Sequence, residues 1–479
     1  MATLHVGASL VPSKIDLVAG WIGTQRWYAA KGRTPQLRRL FAWRLDDPAG
    51  EVGIETLLIA DDATTPPIVY QVPLTYRSAP LVGADHALVG TIEHSVLGTR
   101  HVYDGTHDPL YAAQLFALAR GSGAAASSSV SDAPEPTVTG QRLGGPDLTL
   151  ISSRVLSGEQ SNTSIIGVAR DADGAERPVI TKVFRALADG DNPDVVLQGA
   201  LAAAGSARVP ESLGAVSGAW PTPGGEGTGY GHLAFVQEFL PGAQDAWREA
   251  LAAAGTGESF ADRARALGVA TAEVHGLLAA HLPTDESSAD RIAETMAEMR
   301  GRYAAAAAEV PDLAHHVEAV DAILTAAAGS SWPPFQRIHG DYHLGQVLQV
   351  PDRGWVLLDF EGEPLRPLAE RNRTDQPMRD VAGMLRSFDY AGGSVEQGRR
   401  GVSARTWVAE AQGAFLDGYA AGAGTDPRTA GLLLTAYLVD KALYEVVYEV
   451  RNRPTWAVIP LAAIDRLLSD SNSTKEDTP

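Results

Sequence analysis

His339-Gly340-Asp341-Tyr342-His343-Leu344-Gly345-Gln346, followed by Asp359-Phe360-Glu361-Gly362-Glu363, combines residue types and a spacing that could do chemistry. An Asp, a carboxamide five residues on and a second Asp at the end of a nearby strand supply two distinct functions. One carboxylate can orient a hydroxyl and accept its proton, while the other two groups offer hard oxygen ligands to Mg2+. That is the equipment of phosphoryl transfer. Asp341 is the expected base, and Gln346 and Asp359 are the expected metal ligands. Glu361, two residues beyond Asp359 on the same face of an extended segment, can reach a second ion. A polar turn between two strands has no need of the whole spacing.

A second segment, Ser157-Gly158-Glu159-Gln160-Ser161-Asn162-Thr163-Ser164, lies between two strand-like runs. Its small residues let backbone N–H groups approach and cradle phosphates. Lys182 follows on the next strand, where its ammonium can reach the α- and β-phosphates as a point charge. Alone, either feature is common on exposed loops and strands. Ahead of the Asp341 cluster, in the order kinases use, both fit a nucleotide site. Asn162-Thr163-Ser164 also matches a glycosylation acceptor, which carries no weight in a chain expected to be cytoplasmic.

The elements that must position these residues fall into an expected order. Residues 1–120 read as an α+β module, with strands over 52–60 and 67–76 and a helix over 109–119. Residues 121–137, small, polar and Pro-punctuated, read as a flexible linker. Residues 138–240 are β-rich, with strands over 148–156, 164–171, 177–187 and 232–240. Residues 241–469 are Ala-rich and helical, interrupted by two short strands around the Asp341 cluster. Residues 470–479 read as a frayed polar tail.

Composition sets outer limits. The chain has 479 residues, enough for about three folding units. Its 39 Lys and Arg against 58 Asp and Glu give a formal charge of −19, which argues against nucleic acid as a partner. There is no Cys, so disulfides and thiolate chemistry are excluded. No signal-like or membrane-spanning run is evident, and the expected setting is the cytoplasm without membrane association.

These residues resemble the protein-kinase-like sugar and antibiotic kinases, and specifically the actinobacterial maltokinases and the related glucosamine kinases. Residues 25–33, 158–167, 181–195, 339–348, 358–372, 379–391 and 440–464 carry the likeness, so it runs nearly the length of the chain. It implies a bilobal α+β fold with an N-terminal cap module, a β-rich nucleotide lobe and a helical C-lobe. It also implies ATP as co-substrate, Mg2+ as cofactor, and a monomer or weak oligomer. By that likeness the adenine edge bonds the backbone around Gln237, Glu238 and Phe239. On the acceptor side Lys441, Glu445 and Tyr448 share a helical face. Tyr444, Tyr448 and Trp456 are expected to stack on a sugar ring, with His343, Lys441, Glu445 and Glu449 bonding its polar groups. Val196 stands where such kinases place the Glu partner of the strand Lys, leaving Asp194 or no partner.

The segment after the lobe hinge is shorter than in maltokinases, which implies a tighter acceptor groove. Together with Glu445 and Glu449 as ammonium partners, it favours glucosamine, phosphorylated at its 6-hydroxyl, over maltose, phosphorylated at its anomeric hydroxyl. An aminoglycoside-type phosphotransferase and a nucleotide-binding pseudokinase module are the competing readings. His275 is expected in a helix interface, Arg379 and Asp380 as capping or ion-pair residues, and His315 and His316 at the surface without a ligand partner. Trp27 and Tyr28 are expected where the cap meets the rest of the molecule.

Overall fold

The computed structural model describes residues 7–130, 133–156, 161–364, 366–399 and 401–476, with side chains through 469. The chain divides into two compact units. The first comprises 1–199 and 210–241, and the second 200–209 and 242–479.

The first unit opens with β1 (Leu10–Val11), α1 (Lys14–Ile22), β2 (Leu37–Leu45), β3 (Gly53–Asp61) and β4 (Ile68–Arg77). It continues with β5 (Leu88–His94), β6 (Gly98–Asp104), α2 (Pro109–Ala119) and β7 (Ala126–Ser127). A second sheet follows from β8 (Val138–Arg142), β9 (Leu148–Val155), β10 (Asn162–Asp171) and β11 (Glu176–Phe184). After β12 (Ala186–Leu187) and α3 (Pro193–Ala203) it is completed by β13 (Ser212–Pro221) and β14 (Thr228–Glu238). The sheet orders are β1-β5-β6-β4-β3-β2-β7 and β8-β13-β14-β11-β10-β9.

The predicted strands and the helix at 109–119 are present, but the cap module and the nucleotide sheet are not separate bodies. Trp43, Tyr111, Phe116, Val138, Leu213 and Val216 share one buried core. The end of α2 lies directly on β8, where a Cβ at Gly140 would fall 1.7 Å from the Leu118 carbonyl oxygen. β12 leaves the second sheet to pair with β4 of the first. Arg185, fully buried, donates to Asp104 (2.6 Å), Thr106 (2.9 Å) and Thr163 (2.8 Å) and lies over the Trp27 ring.

The flexible linker expected at 121–137 needs correction. Ala126 and Ser127 are small enough to pair with Trp43 and Arg44 at the edge of β2. The chain then folds back, with Ser127 N–H donating to Ala133 and Glu135 N–H to Ala125.

The second unit contains β15 (Gln244–Asp245), α4 (Ala246–Thr256), α5 (Ala261–His281), α6 (Ala289–Glu309) and α7 (Val317–Ala328). β16 (Val347–Val350) and β17 (Gly354–Leu357) form a hairpin, with β15 pairing to β16. Then come α8 (Leu368–Arg371), α9 (Pro377–Gly398), α10 (Arg405–Ala423), α11 (Gly431–Asn452) and α12 (Val458–Glu476). α12 continues through most of the segment expected to fray. Residues 200–209, expected with the β-rich region, belong to this unit, tied in by Leu357 N–H donating to the Arg208 carbonyl and by Arg208 pairing with Glu273. Among the described residues no helix is long and apolar enough to cross a membrane.

The Arg185–Asp104 pair generates a stability prediction. Asp104→Ala leaves a fully buried guanidinium without its anion, and urea unfolding should show a loss of about 3–5 kcal/mol. The double variant Asp104→Ala/Arg185→Met should recover much of that loss. A single-variant cost under about 1 kcal/mol would contradict the buried pairing.

Candidate active site

The segment 339–346 has little regular structure of its own, so side chains must hold it. His339 is buried, its Nε2 2.8 Å from the Leu358 carbonyl and its ring against Phe360. The N–H groups of His339 and Gly340 both donate to the Asp380 carboxylate, at 2.7 and 2.9 Å. Asp380, in the first turn of α9, also meets His275 Nε2 at 3.1 Å, and His275 Nδ1 is 2.9 Å from the Tyr419 hydroxyl. Burial pushes the Asp380 carboxyl up, but these hydrogen bonds outweigh it and hold it below its ordinary value. Tyr342 is buried with its hydroxyl on Thr271. α9 can pass this close only because position 383 is Gly: a Cβ there would sit 2.5 Å from the Tyr342 carbonyl oxygen. Tyr342 and Leu344 point inward, leaving Asp341 and His343 partly exposed between them.

Gln346 ends a short 3-10 turn, with its Nε2 3.1 Å from Asp359 Oδ2. Asp359 has φ 61°, a left-handed backbone that a non-Gly residue adopts at some cost. Such strain at the end of β17 marks a position whose carboxylate must be aimed. The carboxylate and the carboxamide oxygen are the hard donors Mg2+ takes, once Gln346 turns its oxygen rather than its nitrogen toward the ion. Glu361 is half-buried, with its carbonyl accepting from Arg371 at 2.9 Å.

Lys441 of α11 lies 3.3 Å from Asp341 Oδ1 and 2.7 Å from Glu363 Oε1. Glu363 also pairs with Arg379 (2.6 Å) and Arg366 (2.9 Å), and Arg379 with Asp375 (2.8 Å). Burial pushes Glu363 up, yet the charges of Arg379, Lys441 and Arg366 hold its carboxyl far below the usual range. Burial pulls Lys441 down, yet Glu363 and Asp341 raise it well above its ordinary value. Glu363 carries no role on sequence grounds although it stands inside the 358–372 motif. Asp380 reads there only as a capping or ion-pair residue, and its grip on the turn has no sequence signal.

Several acceptor-side expectations change. Glu445 is turned to Arg386 of α9 at 2.6 Å, and burial raises its carboxyl against that attraction. Glu449 is buried and takes Arg453 and the Tyr390 hydroxyl. Each carboxylate neutralises an arginine, Glu445 through Oε2 and Glu449 through both oxygens, so the ammonium partner expected of them meets a guanidinium already in place. The Arg453 guanidinium also lies over the rings of Tyr448 and Trp456, covering faces expected to stack on a sugar. Tyr444 remains beside Lys441, whose Nζ is 4.9 Å from its ring centroid. Burial holds the His343 imidazole below its ordinary pKa.

In the first unit, Ser157, Gly158 and Gln160 lie outside the described residues, and Ser161 is exposed. Asn162, Thr163 and Ser164 are buried in β10. The Thr163 hydroxyl accepts from Arg185, so it serves the core rather than a phosphate. Lys182 pairs with Asp194 Oδ2 at 3.1 Å, so Asp194 takes the role left open by Val196. Asp194 in turn accepts from Gln198 (2.5 Å), whose carboxamide oxygen accepts from Gln237 (2.8 Å). Of the backbone expected to meet adenine around Gln237, Glu238 and Phe239, the N–H groups of Glu238 and Phe239 donate to the carbonyls of Glu211 and Pro178.

Comparison with known proteins adds independent findings. Residues 21–108 match the maltokinase N-terminal cap domain, and 194–433 match the phosphotransferase enzyme family. A glucosamine kinase of Streptacidiphilus jiangxiensis is 31 % identical over 65 % of this chain and 72 % of its own. A glucosamine kinase of Mycolicibacterium smegmatis (strain ATCC 700084 / mc(2)155) is 27 % identical over 68 % of this chain and 82 % of its own. A solved glucosamine kinase in complex with glucosamine, ADP and inorganic phosphate shares the fold. It has a TM-score of 0.64 and 23 % identity over 95 % of this chain and 99 % of that one.

The Glu363 network makes a pH prediction. A carboxyl held below its unfolded value stabilises the fold fully above that value and loses the contribution as pH falls toward the folded one. Glu363→Gln should cost about 3–5 kcal/mol at pH 7. It should also flatten the acid-side fall of melting temperature below the ordinary Glu range. Parallel acid profiles for variant and wild type would refute the assignment.

Proposed function

The chain belongs to the phosphotransferase enzyme family, and from that premise we propose an ATP-dependent sugar kinase whose substrate is glucosamine and whose product is glucosamine 6-phosphate. The observation that carries this reading is the partly exposed Asp341 carboxylate, held by Lys441 beside a turn that Asp380 fixes from behind. The acceptor hydroxyl oxygen attacks the γ-phosphorus, its proton passes to Asp341, and the bond from phosphorus to the bridging oxygen breaks to release ADP. In so loose a transition state, rate comes from alignment and charge placement.

Lys441, anchored by Glu363, orients Asp341 and reaches the acceptor side. His343 and Tyr444 are the remaining candidates for contacts with the sugar. Lys182, kept in place by Asp194, and the small-residue stretch 157–161 ahead of β10 position the nucleotide phosphates. Gln346 and Asp359 would hold Mg2+, with Glu361 nearby, and the ion would offset phosphate charge. The amino-sugar choice is supported by the two glucosamine kinase relatives and no longer by Glu445 or Glu449. Maltose, giving maltose 1-phosphate, is the second reading because the cap matches that of maltokinases. The protein acts as a monomer or weak oligomer in the cytoplasm, without nucleic acid.

ADP release from Mg2+–ATP with each sugar tests the assignment. Glucosamine should be turned over, and Asp341→Asn should lower kcat by about 10²–10⁴-fold with little change in KM for ATP. Turnover of maltose alone would move the enzyme to the second reading. Kanamycin turnover would point to an antibiotic phosphotransferase, and nucleotide binding without turnover of any sugar would indicate a pseudokinase.

A further inference from the structure

We propose that His315, His316 and Asp465 form a separate site for a borderline transition cation, represented by Zn2+, on the surface of the helical unit. His315 and His316 end a 3-10 turn, Pro311–His316, immediately ahead of α7, while Asp465 comes from α12. One ligand atom from each residue lies within 4.8 Å of the other two, and His316 Nε2 is 3.1 Å from Asp465 Oδ1. Tetrahedral Zn–N and Zn–O bonds of about 2.0–2.1 Å put neighbouring ligand atoms roughly 3.3 Å apart. The His316–Asp465 spacing already meets that figure, and a His315 nitrogen lies within 4.8 Å of both partners.

An ion pair would account for His316 and Asp465 alone. It leaves His315 unexplained, packed with its ring centroid 3.8 Å from that of His316 and its nitrogen near the same carboxylate. Two imidazole nitrogens and one carboxylate oxygen favour Zn2+, Cu2+ or Ni2+ over Mg2+, which prefers all-oxygen sets. The chain has no Cys, so thiolates do not compete for such an ion. Bound there, the metal clasps the last helix to the start of α7 and keeps a fourth position for water. The site sits apart from Asp341 in role and in donor chemistry, so it stands whether or not the sugar assignment does.

The test uses the full chain, stripped with chelator and titrated with Zn2+ alone by calorimetry, with melting followed in parallel. Wild type should bind an equivalent that His316→Ala, His315→Ala and Asp465→Asn each weaken at least about tenfold, since even outer partners of a metal are worth that much. Zinc should raise the melting temperature of wild type and not that of the variants. Phosphotransfer with Mg2+–ATP should be equal in all four proteins. Absence of zinc uptake by wild type overturns the proposal. So does unchanged zinc affinity in both Asp465→Asn and His316→Ala, which would place the ion elsewhere.

Discussion

A carboxylate closed off from solvent, that of Asp380, decides where the reactive turn can lie. Leaving water is costly for an anion, and the cost is offset only by donors with good geometry. Asp380 finds them in two consecutive backbone amides, those of His339 and Gly340, and in the His275 ring. Two adjacent N–H groups bound to one carboxylate leave the chain little freedom before Asp341. The residue proposed as base is therefore positioned from behind by a buried carboxylate. Gly383, one helical turn further along α9, then lets Tyr342 rest against the helix backbone.

Around that anchor the charges alternate. Asp341, Lys441, Glu363, Arg379 and Asp375 follow one another by contacts of 2.6 to 3.3 Å. Glu363 at the centre is desolvated, Asp341 and Asp375 at the ends keep some water, and each ion has a neighbour of opposite sign, so removing one from the middle strands the next. Such an array holds its dipoles before substrate arrives, which is the condition under which electrostatics lowers a barrier. The same logic explains Glu445 and Glu449. The buried guanidinium of Arg386 takes Glu445, and the exposed one of Arg453 folds back onto the buried Glu449.

The nature of the chemistry was legible because it depends on short-range spacing. Asp341, Gln346 and Asp359 lie within one strand-turn-strand stretch, and strand polarity brings Gln346 to Asp359. The partner of Lys182 was only half legible: with Val196 at the usual position, the sequence left Asp194 or none, and the start of α3 supplies Asp194. What escaped sequence reasoning is long-range choice of partner. Helical periodicity put Lys441, Glu445 and Tyr448 on one face correctly, but it cannot tell which of them meets Asp341 and which meets Arg386. The 121–137 segment misled because small polar residues serve a tight edge hairpin as readily as a tether. His315 and His316 looked partnerless because Asp465 comes from a distant helix.

The common core of the cap and the nucleotide sheet has a bearing on how this architecture can change over evolutionary time. A recombination breakpoint between the two would not join finished modules; it would cut through the contacts of Trp43, Phe116 and Val138 and the pairing of β12 with β4. A cap acquired from another lineage must bring a matching face, or the inherited sheet must drift to meet it. The two parts are thus bound to co-vary as a single unit of descent, whatever the acceptor region beyond them comes to recognise.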